Sequence, residues 1–230
     1  MSDFSIVIPT YRRTRQLAAC LKGFARLDYP RDRFEIIIVD DGSPESCEPV
    51  LLRWRHELDV RLIRQVNAGP AAARNNGARH ARFAHVAFID DDCVPHPRWL
   101  QSLAWSFAAA PDDLIGGHTM NALPHNPYSS ASQEMVTYLC DYFDGREGRT
   151  RLFTSNNMAL RAVDFHAVGG FDTRFPRAAG EDREFCDRWV AQGRRTTLDP
   201  DAVVLHAHRL TLRSFWRQHF EYGRGAASFR

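Results

Sequence analysis

The sequence predicts an α/β fold, in which helices flank a Rossmann-like, mostly parallel central sheet and a smaller half completes the domain. Before residue 90, four short apolar segments alternate with segments of helical periodicity. Their spacing of about 30 residues per unit is typical of a doubly wound parallel sheet. Each apolar segment also ends at a polar cluster, and ligands of such sheets bind beyond the carboxyl ends of the strands. Together these observations predict a ligand site along one edge of the sheet.

The first two strands are predicted from continuous apolar runs. "FSIVIP" is rich in β-branched residues and ends at a proline, and "FEIIIV" has the same character, so both are expected to be buried strands. Between them, Leu17, Leu21, Phe24 and Ala25 recur at helical spacing, which predicts a helix. After the second strand, "DDGSPES" supplies Gly, Ser and Pro for a loop and N-cap residues for another helix.

The next two strands complete the repeating pattern. "VRLIRQV" alternates like a half-buried strand, "NAGPAAARNNGARHARF" predicts a turn and a helix, and "HVAFI" predicts a fourth strand. The polar clusters that follow the four strands are "PTYRR", "DDGS", "NAGP" and "DDD". Because parallel strands end along the same edge of a sheet, we expect these clusters to lie side by side.

The second half of the chain is less regular. "HPRWLQSLAWSFAAA" predicts a helix and "LIGGH" a short strand, and residues 118–150 are polar with at most one helix, around "SQEMVTYLCDYF". A polar region of that length inside a compact domain is usually functional or mobile. Then follow "FTSNNMALRA", the turn "VGGFDTRF", a helix from "GEDREFCDRWVAQG" and a strand from "AVVLHAH".

Length and composition exclude several classes of protein. With 230 residues, 44% of them apolar and 25% charged, the chain can bury a sizeable core. The formal charge of +2 predicts no nucleic-acid partner. The five cysteines are odd in number and form no C-x-x-C pair, which favours reduced thiols in a cytoplasmic protein. No run of about 18 apolar residues is present and no basic segment precedes an apolar one, so neither a membrane span nor a signal peptide is expected.

The strongest chemical signal is the acidic triplet Asp90, Asp91 and Asp92 at the end of the fourth strand. Like charges about 4 Å apart repel by roughly 4 kcal/mol near a protein surface, so the triplet needs screening by water or by a cation. A solvated loop that caps the next helix would provide the water. A hard cation such as Mg²⁺ or Mn²⁺ would share the carboxylate oxygens with substrate phosphates. The triplet by itself leaves both interpretations open.

The ordered set of motifs resembles family 2 glycosyltransferases, which are inverting enzymes of the GT-A fold. The motifs are "SIVIPTYRR", "IIIVDDGS", "NAGPAAARNNG", "AFIDDDCVP", "SNNMALRA", "VGGFD" and "GEDREFCDRW". The resemblance implies one GT-A domain over residues 1–208, with a nucleotide-binding half (1–117) and an acceptor-binding half (118–208). It implies a hexosyltransferase-type enzyme that moves a sugar from a nucleotide diphosphate sugar, most often a UDP-sugar, to an acceptor hydroxyl, as in bacterial cell-surface polysaccharide biosynthesis.

The resemblance places the nucleotide at the first three strand ends. The donor contacts that it implies come from Pro9, Thr10, Tyr11, Arg13, Asp41, Gly69, Pro70, Ala73 and Arg74. Backbone N–H groups at a helix start, together with a guanidinium, suit the charge of a diphosphate. Two simpler interpretations stay open: Asp40 and Asp41 cap the next helix, and Arg74 pairs with one of the aspartates.

In the same resemblance, the acidic triplet is the D-x-D element that holds Mn²⁺ or Mg²⁺. Asp92 is expected to bind the metal directly and Asp90 to contact the ribose or the metal shell, with Asp91 as a less defined donor contact. "VVLHAHR" places His206 and His208 on one side of a strand, and His206 is expected to complete the metal shell or touch the diphosphate. The cation would stabilise charge on the departing phosphate. The alternative, ordinary histidines at a strand end, stays open.

The resemblance also assigns the general base. In "GEDREF", Asp182 is expected to take the proton of the acceptor hydroxyl, and Glu181 to orient the acceptor. In "TSNNMAL", Asn156 is expected to hydrogen-bond hydroxyl groups of the donor sugar, and Asn157 is less certain because neighbours on a strand face opposite ways. Without the other motifs, Glu181 and Asp182 would be acidic first-turn residues that the helix dipole favours.

Residues 209–230 are predicted to form a basic, aromatic helix. Its apolar residues Leu212, Phe215, Trp216 and Phe220 stand beside Arg213, Arg217 and Arg224. Such a helix either makes a peripheral contact with the inner face of a membrane, where it would suit a lipid-linked acceptor, or packs on the domain or on a part of the protein beyond residue 230. Glycan and small-molecule acceptors stay open as well.

Two other classes of function remain as alternatives. A nucleotidyltransferase with a related sheet would attack the α-phosphate, and it normally has a Gly-rich stretch after the first strand, whereas "PTYRRTRQL" has no glycine. A non-catalytic nucleotide- or carbohydrate-binding module need not keep both Asp92 and Asp182, and this chain has both. The sequence therefore favours glycosyl transfer.

Overall fold

The fold is known from a computed structural model that describes residues 2–143, 152–175 and 180–228. The end of the predicted polar region, residues 144–150, lies outside the described residues. The last two residues of the predicted C-terminal helix, 229 and 230, also lie outside them. All of the predicted site residues are described.

The first half of the chain builds the parallel part of the sheet. Its elements are β1 (Phe4–Thr10), α1 (Thr14–Phe24), β2 (Phe34–Asp40), α2 (Glu48–Leu52), β3 (Val60–Arg64), α3 (Pro70–Arg79) and β4 (His85–Phe88), with a 3-10 turn at Arg31–Arg33. The four strands lie in the order β3-β2-β1-β4 and all run parallel. This arrangement confirms the predicted alternation of strands and helices.

The second half extends the same sheet with mixed strand directions. Its elements are β5 (Cys93–Pro95), α4 (Trp99–Ala109), β6 (Leu114–Asn121), α5 (Pro127–Phe143), β7 (Met158–Arg161), α6 (Ala162–Val168), α7 (Glu181–Ala191), β8 (Thr196–His206) and α8 (Leu212–Ser228). Within the described residues the sheet has eight strands in the order β3-β2-β1-β4-β7-β6-β8-β5. β7 is antiparallel to both β4 and β6, while β6 and β8 are parallel with a register shift between Gly117 and His118. The predicted boundary between the nucleotide-binding half (1–117) and the acceptor-binding half (118–208) therefore falls inside β6.

Two apolar clusters cover the two faces of the sheet. Along β1, Ile6 and Ile8 lie in the cluster that includes α1 and α4, whereas Val7 lies in the cluster that includes α3 and α7. A strand that is covered on both faces needs apolar residues at consecutive positions, which explains the continuous runs in the sequence. The five cysteines are free thiols, and four of them are buried in these clusters.

The region from residue 118 onward is more regular than the sequence predicts. β6 continues to Asn121, and α5 begins at Pro127, before the segment "SQEMVTYLCDYF" that predicted it. Asn126 explains the early start, because its Oδ1 accepts hydrogen bonds from the N–H groups of Tyr128 and Ser129, as an N-cap side chain does. The Asn126 amide also donates to the carbonyl oxygen of Leu210, which ties α5 to the start of α8.

The predicted C-terminal helix is present as α8, and it packs against α5. Its outer side exposes Leu212, Trp216 and Phe220, which are 53%, 68% and 66% exposed. Exposed arginines, including Arg213 and Arg217, stand next to this stripe. In residues 2–143, 152–175 and 180–228, none of the helices is both long enough and apolar enough to cross a membrane.

We expect Gly77→Ala to destabilise the fold, because α3 touches the sheet at Gly77. A Cβ atom there would overlap the side chain of Val7 and press on Cγ2 of Val39 at 3.1 Å. Both valines lie in central strands that cannot move aside, so the cost is about 1–3 kcal/mol. The measurement is the free energy of unfolding in urea.

Gly223→Ala in α8 is the matched control, since within the described residues its added Cβ would meet no atom within 4 Å apart from its chain neighbours and the helix backbone. Alanine there should leave stability unchanged or raise it by up to about 1 kcal/mol through helix propensity. Equal stabilities of the two variants would contradict the close packing of α3.

Candidate functional site

Two adjoining cavities open at the predicted edge of the sheet. The first, the strand-end cavity, has a volume of about 330 Å³ and lies at the ends of β1, β2 and β4 and at the start of α3. The second, the α7 cavity, has a volume of about 270 Å³ and lies between the start of α7, the end of β8, α5 and α8. Arg74 and Asp90 line both cavities, so the two spaces share a wall.

Most residues that were predicted to hold a nucleotide line the strand-end cavity. They are Pro9, Thr10, Tyr11, Arg13, Asp41, Gly69, Pro70, Arg74, Asp90 and Asp91. Asn67, which the sequence did not single out, lines it too. Ala73 does not, because its side chain has no exposed surface and packs in the core on the inner side of α3. The structure therefore brings the polar clusters together but leaves Ala73 out.

Asp40 and Asp41 have different roles in the loop after β2. The Oδ1 of Asp40 accepts the N–H of Ser43 and so caps the turn that follows. The carboxylate of Asp41 reaches the next loop instead, where it accepts the N–H groups of Ala68 and Gly69 at 2.9 Å. Asp41 thus fixes the turn before α3, while one edge of its side chain faces the cavity.

Two arginines neutralise much of the acidic triplet. Arg12 adopts the left-handed conformation, with φ of 58°, and the chain then places Arg13 over the triplet. Arg13 donates to Asp91 at 3.2 Å and to Asp92 at 2.9 Å. Asp90 receives its own hydrogen bond, of 2.6 Å, from Arg74. The pairing of Arg74 with an aspartate was one of the open interpretations of the sequence, whereas the screening by Arg13 was not predicted.

Asp91 and Asp92 titrate very differently although they are adjacent. Burial raises the pKa of Asp91 to about 7, against the opposing influence of Arg13. Burial also acts against ionisation of Asp92, but the nearby His206 and Arg13 lower its pKa to about 2. Asp92 is therefore fully ionised at neutral pH, while Asp91 is close to its midpoint. The proton on the carboxyl group of Asp91 removes part of the repulsion within the triplet.

Asp92 and His206 have the chemistry of a divalent metal site. The Nε2 atom of His206 lies 3.3 Å from Oδ1 of Asp92, and within the described part of the chain this buried oxygen has no hydrogen-bond partner. The Sγ atom of Cys93 belongs to the same group, in which the three potential ligand atoms lie within 4.8 Å of one another. Burial raises the pKa of the Cys93 thiol well above its usual range, so it stays protonated and is a poor ligand for a hard cation. An orphaned carboxylate oxygen beside an imidazole nitrogen fits Mn²⁺ or Mg²⁺, whose remaining ligands commonly come from water and phosphate.

His208 supports His206 rather than facing away from it. The two rings stack with their centroids 4.3 Å apart and their planes 17° apart, although β8 ends at His206 and His208 lies beyond it, not on the strand as predicted. Burial and the neighbouring His206 lower the pKa of His208 to about 4, so its ring is neutral at physiological pH. A neutral ring in this place does not repel a cation held by Asp92 and His206.

The predicted general base lies at the start of α7, in the wall of the α7 cavity. Oδ2 of Asp182 accepts the N–H of Ser155 at 3.0 Å, whereas its Oδ1 is buried and has no hydrogen-bond partner among the described residues. The adjacent Glu181 accepts from Arg74 at 3.2 Å. Gly180, with φ of 97°, supplies the left-handed turn that starts the helix at this point. Asp182 therefore has one oxygen fixed by the backbone and one available for a proton.

Burial shapes the charge of the two carboxyl groups as well. It raises the pKa of Glu181 to about 8, with a further contribution from the neighbouring Asp182 and an opposing one from Arg74. It also raises the pKa of Asp182, although Arg74 and the Ser155 N–H oppose the change. The pair thus retains a proton at neutral pH, which is the condition in which a carboxylate can exchange a proton with a bound hydroxyl.

The two asparagines of "TSNNMAL" face different surroundings. Asn156 lines the α7 cavity, and its Oδ1 accepts hydrogen bonds from Thr154 at 2.7 Å and Thr119 at 3.2 Å. Asn157 is buried, where its Oδ1 accepts the indole N–H of Trp99 and its amide donates to the carbonyl of Ala202. Asn157 therefore braces the sheet, and only Asn156 stands where a ligand can reach it.

The helix α8 contributes residues to the site that the sequence interpretation missed. The Nε2 of Gln218 donates to the hydroxyl of Tyr222 at 2.9 Å and lies 3.3 Å from a ring nitrogen of His208. Both residues line the α7 cavity. In the sequence, Gln218 and Tyr222 are four residues apart and so lie on the same, inner face of an aromatic helix, which could have identified them.

Comparison with known proteins identifies the family to which the chain belongs. The model of the family described as "Glycosyl transferase family 2" matches residues 5–171. The chain is 30% identical over 231 residues to validoxylamine A glucosyltransferase from Streptomyces hygroscopicus, covering 88% of this chain and 55% of that protein. The chain thus spans about half the length of this relative.

Solved structures show the same fold. A mannosyltransferase from Pyrobaculum calidifontis, in complex with GDP-Man and Mn²⁺, has a TM-score of 0.76 at 20% identity, over 100% of this chain and 65% of that one. TarS from S. aureus, residues 1–349 in complex with UDP-GlcNAc, has a TM-score of 0.69 at 19% identity, over 91% of this chain and 59% of that one. These likenesses establish the GT-A architecture that the motifs predicted.

We expect Glu181→Gln to change how stability depends on pH. The ordinary pKa of the glutamate, 4.5, applies to the unfolded chain, and burial raises it to about 8 in the folded protein. A group whose pKa rises on folding stabilises the protein fully below the unfolded value, and this contribution is lost as the pH rises through the folded value. The free energy of unfolding of the wild type, relative to the variant, should therefore fall between pH 4.5 and about 8. Chemical denaturation across this range measures it, and a constant difference would contradict a raised pKa.

Proposed function

Because the chain belongs to glycosyltransferase family 2, a family of transferase enzymes, we propose that it moves a sugar from a nucleotide diphosphate sugar to an acceptor hydroxyl, with inversion at the anomeric carbon. The observation that carries the proposal is the pair of adjoining cavities. One contains Asp90 and Asp91 beside the Asp92–His206 pair, and the other contains Asp182 with an unpartnered oxygen. Donor and acceptor would then meet at their shared wall.

The strand-end cavity is the proposed donor site. Asp41 and Tyr11 lie where a base and ribose would sit, and Arg13 lies at the side nearest Asp92. The first turn of α3 has no acidic residue, so its N-terminus offers positive potential for a diphosphate. The two structural neighbours bind UDP-GlcNAc and GDP-Man, and we favour a UDP-sugar for this chain.

Asp92 and His206 would hold the divalent cation, Mn²⁺ or Mg²⁺. When bound, such an ion supplies positive charge that stabilises the departing nucleotide diphosphate. Asp90 is held by Arg74 and so stands ready to contact the ribose or a water of the ion. The structural neighbour with Mn²⁺ supports this cofactor.

The transfer is a single displacement. Asp182 removes the proton of the acceptor hydroxyl, and that oxygen forms a bond to the anomeric carbon of the sugar. The bond from this carbon to the diphosphate oxygen breaks on the opposite face, and the nucleotide diphosphate leaves. The N–H of Ser155 fixes the orientation of Asp182 during the step, while Glu181, which retains a proton at neutral pH, is placed to hydrogen-bond the acceptor.

The walls of the α7 cavity indicate the class of acceptor less specifically than the strand-end cavity indicates the donor. They combine the amide groups of Asn156 and Gln133 and the hydroxyl group of Ser132 with apolar side chains such as Val136 and Leu139. That mixture suits a sugar ring on a glycan, on a lipid carrier or on a small molecule. The exposed stripe of α8, flanked by arginines, supports peripheral contact of a cytoplasmic enzyme with the inner face of a membrane. A nucleotidyltransferase or a binding module would have no use for the unpartnered oxygen of Asp182.

We expect donor binding to require a divalent cation. UDP titrated by calorimetry should bind at least about tenfold more tightly with Mn²⁺ than without it. Asp92→Asn and His206→Gln should lose most of this difference, whereas Asp201→Asn, an exposed position on the same strand as His206, should keep it. A thermal-shift comparison of UDP-, GDP- and dTDP-sugars with Mn²⁺ then selects the donor. Equal affinity for UDP with and without the metal would overturn the assignment of the site.

We expect Asp182→Asn to separate binding from transfer. The variant should bind the selected donor with unchanged affinity, since Asp182 faces the α7 cavity. Transfer should fall by about 10²–10⁴-fold, because the amide cannot accept the hydroxyl proton. Release of the nucleotide diphosphate in the presence of acceptor measures it. Asp187→Asn, a partly exposed position on the same helix, should behave like the wild type. Transfer retained by Asp182→Asn would place the base elsewhere.

A further inference from the structure

A third and larger space, of about 1010 Å³, opens between α1 and α8. Arg13, Arg15, Arg209 and Arg217 stand in its walls, and we name it the arginine cleft. It also contains His208 and Gln218, which line the α7 cavity as well. The arginine cleft and the α7 cavity therefore adjoin at these two residues.

The cleft carries an excess of positive charge. Arg15, Arg209 and Arg217 are exposed, and within the described residues none of the three has a hydrogen bond or an ion pair through its side chain. Of the acidic residues of the walls, Asp92 pairs with Arg13 of the same cleft and Glu221 pairs with Arg224, which lies outside it. Unpaired guanidinium groups grouped around one space are suited to bind phosphate, with which they form paired, charge-assisted hydrogen bonds.

The first turn of α1 adds to the positive electrostatic potential of the arginine cleft. It contains Arg15 and Gln16 but no acidic residue, and no side chain caps the start of the helix. The free N–H groups and the dipole of an uncapped helix favour a negative charge nearby. The positive potential of the cleft thus comes from a helix terminus and from separate side chains on two elements.

Most of the proposed donor contacts lie outside this cleft, although Arg13 and the proposed metal ligand Asp92 stand in its walls. Among the described residues, Arg13 is the one residue that lines both the strand-end cavity and the arginine cleft. Two residues, His208 and Gln218, link the cleft to the α7 cavity where the acceptor hydroxyl would be deprotonated. The connection favours the acceptor over the donor as the occupant of the cleft.

On the basis of the proposed function, we propose that the acceptor is a phosphorylated molecule whose phosphate or diphosphate group binds in the arginine cleft. Its sugar then extends past His208 and Gln218, with the reacting hydroxyl at Asp182. The same chemistry is found in a soluble sugar phosphate and in a lipid-linked diphosphate. The apolar residues Leu212, Trp216 and Phe220 continue outward beside Arg217, and a lipid chain leaving the cleft would meet them.

The test uses two probes, glucose 6-phosphate and farnesyl diphosphate, titrated by calorimetry without divalent metal. The wild type should bind at least one of them. Arg15→Gln combined with Arg217→Gln should weaken binding by about tenfold or more, because two charge-assisted contacts are lost. Arg26→Gln combined with Arg53→Gln, two exposed arginines outside the cleft, is the control and should bind like the wild type.

The pattern of affinities decides the outcome. Tighter binding of farnesyl diphosphate identifies a lipid-linked acceptor, and tighter binding of glucose 6-phosphate a soluble one. No binding to the wild type, or equal affinities in the wild type and the cleft variant, overturns the proposal.

A parallel titration of UDP with Mn²⁺ separates the two proposals. The cleft variant should bind UDP like the wild type, and a selective loss of UDP binding would assign the cleft to the donor instead. Failure of the wild type to bind UDP would overturn the donor site whatever the probes show.

Discussion

The site depends on a buried arginine that joins two acidic side chains from distant parts of the chain. Arg74 is 3% exposed, and its guanidinium contacts Asp90 at the end of β4 and Glu181 at the start of α7. Burying such a group is costly, and removing one partner of a buried ion pair typically costs about 3–5 kcal/mol because the other charges are left uncompensated. The interaction therefore fixes the distance between the acidic triplet and Asp182. Neither carboxylate can move without disturbing the other.

Much of the fold could be predicted because its signals are local. Continuous apolar runs, helical periodicity and polar strand ends identify β1 to β4 and the edge at which the site forms. The place of β7 was not predictable in this way, since it pairs antiparallel with β4 and β6, strands that are far from it in sequence. A short run such as "MALR" carries no information about its neighbours. The register shift of β6 against β8 is likewise a property of two strands together.

The sequence predicted which residues belong to the candidate site better than it predicted how they are arranged. The motifs pointed to Asp92, His206 and Asp182, and the structure places each of them at the expected edge. They did not show which carboxylate oxygens would be left without a partner, because that depends on Ser155 and Arg13. Ala73 was misplaced since a helix presents only one face to a cavity, and its neighbour Arg74 occupies that face. The roles of residues in α8 required knowing where that helix packs.

The insertion of β7 between β4 and β6 has a consequence for the nascent chain on the ribosome. When synthesis has passed β6, the four parallel strands β1 to β4 are complete, yet one edge of β4 is open until Met158–Arg161 emerges. An open strand edge can pair with other chains, and structures built from distant pairings fold slowly. During translation, the region up to β6 is therefore most vulnerable to aggregation before β7 has been synthesised and has paired with the open edge of β4.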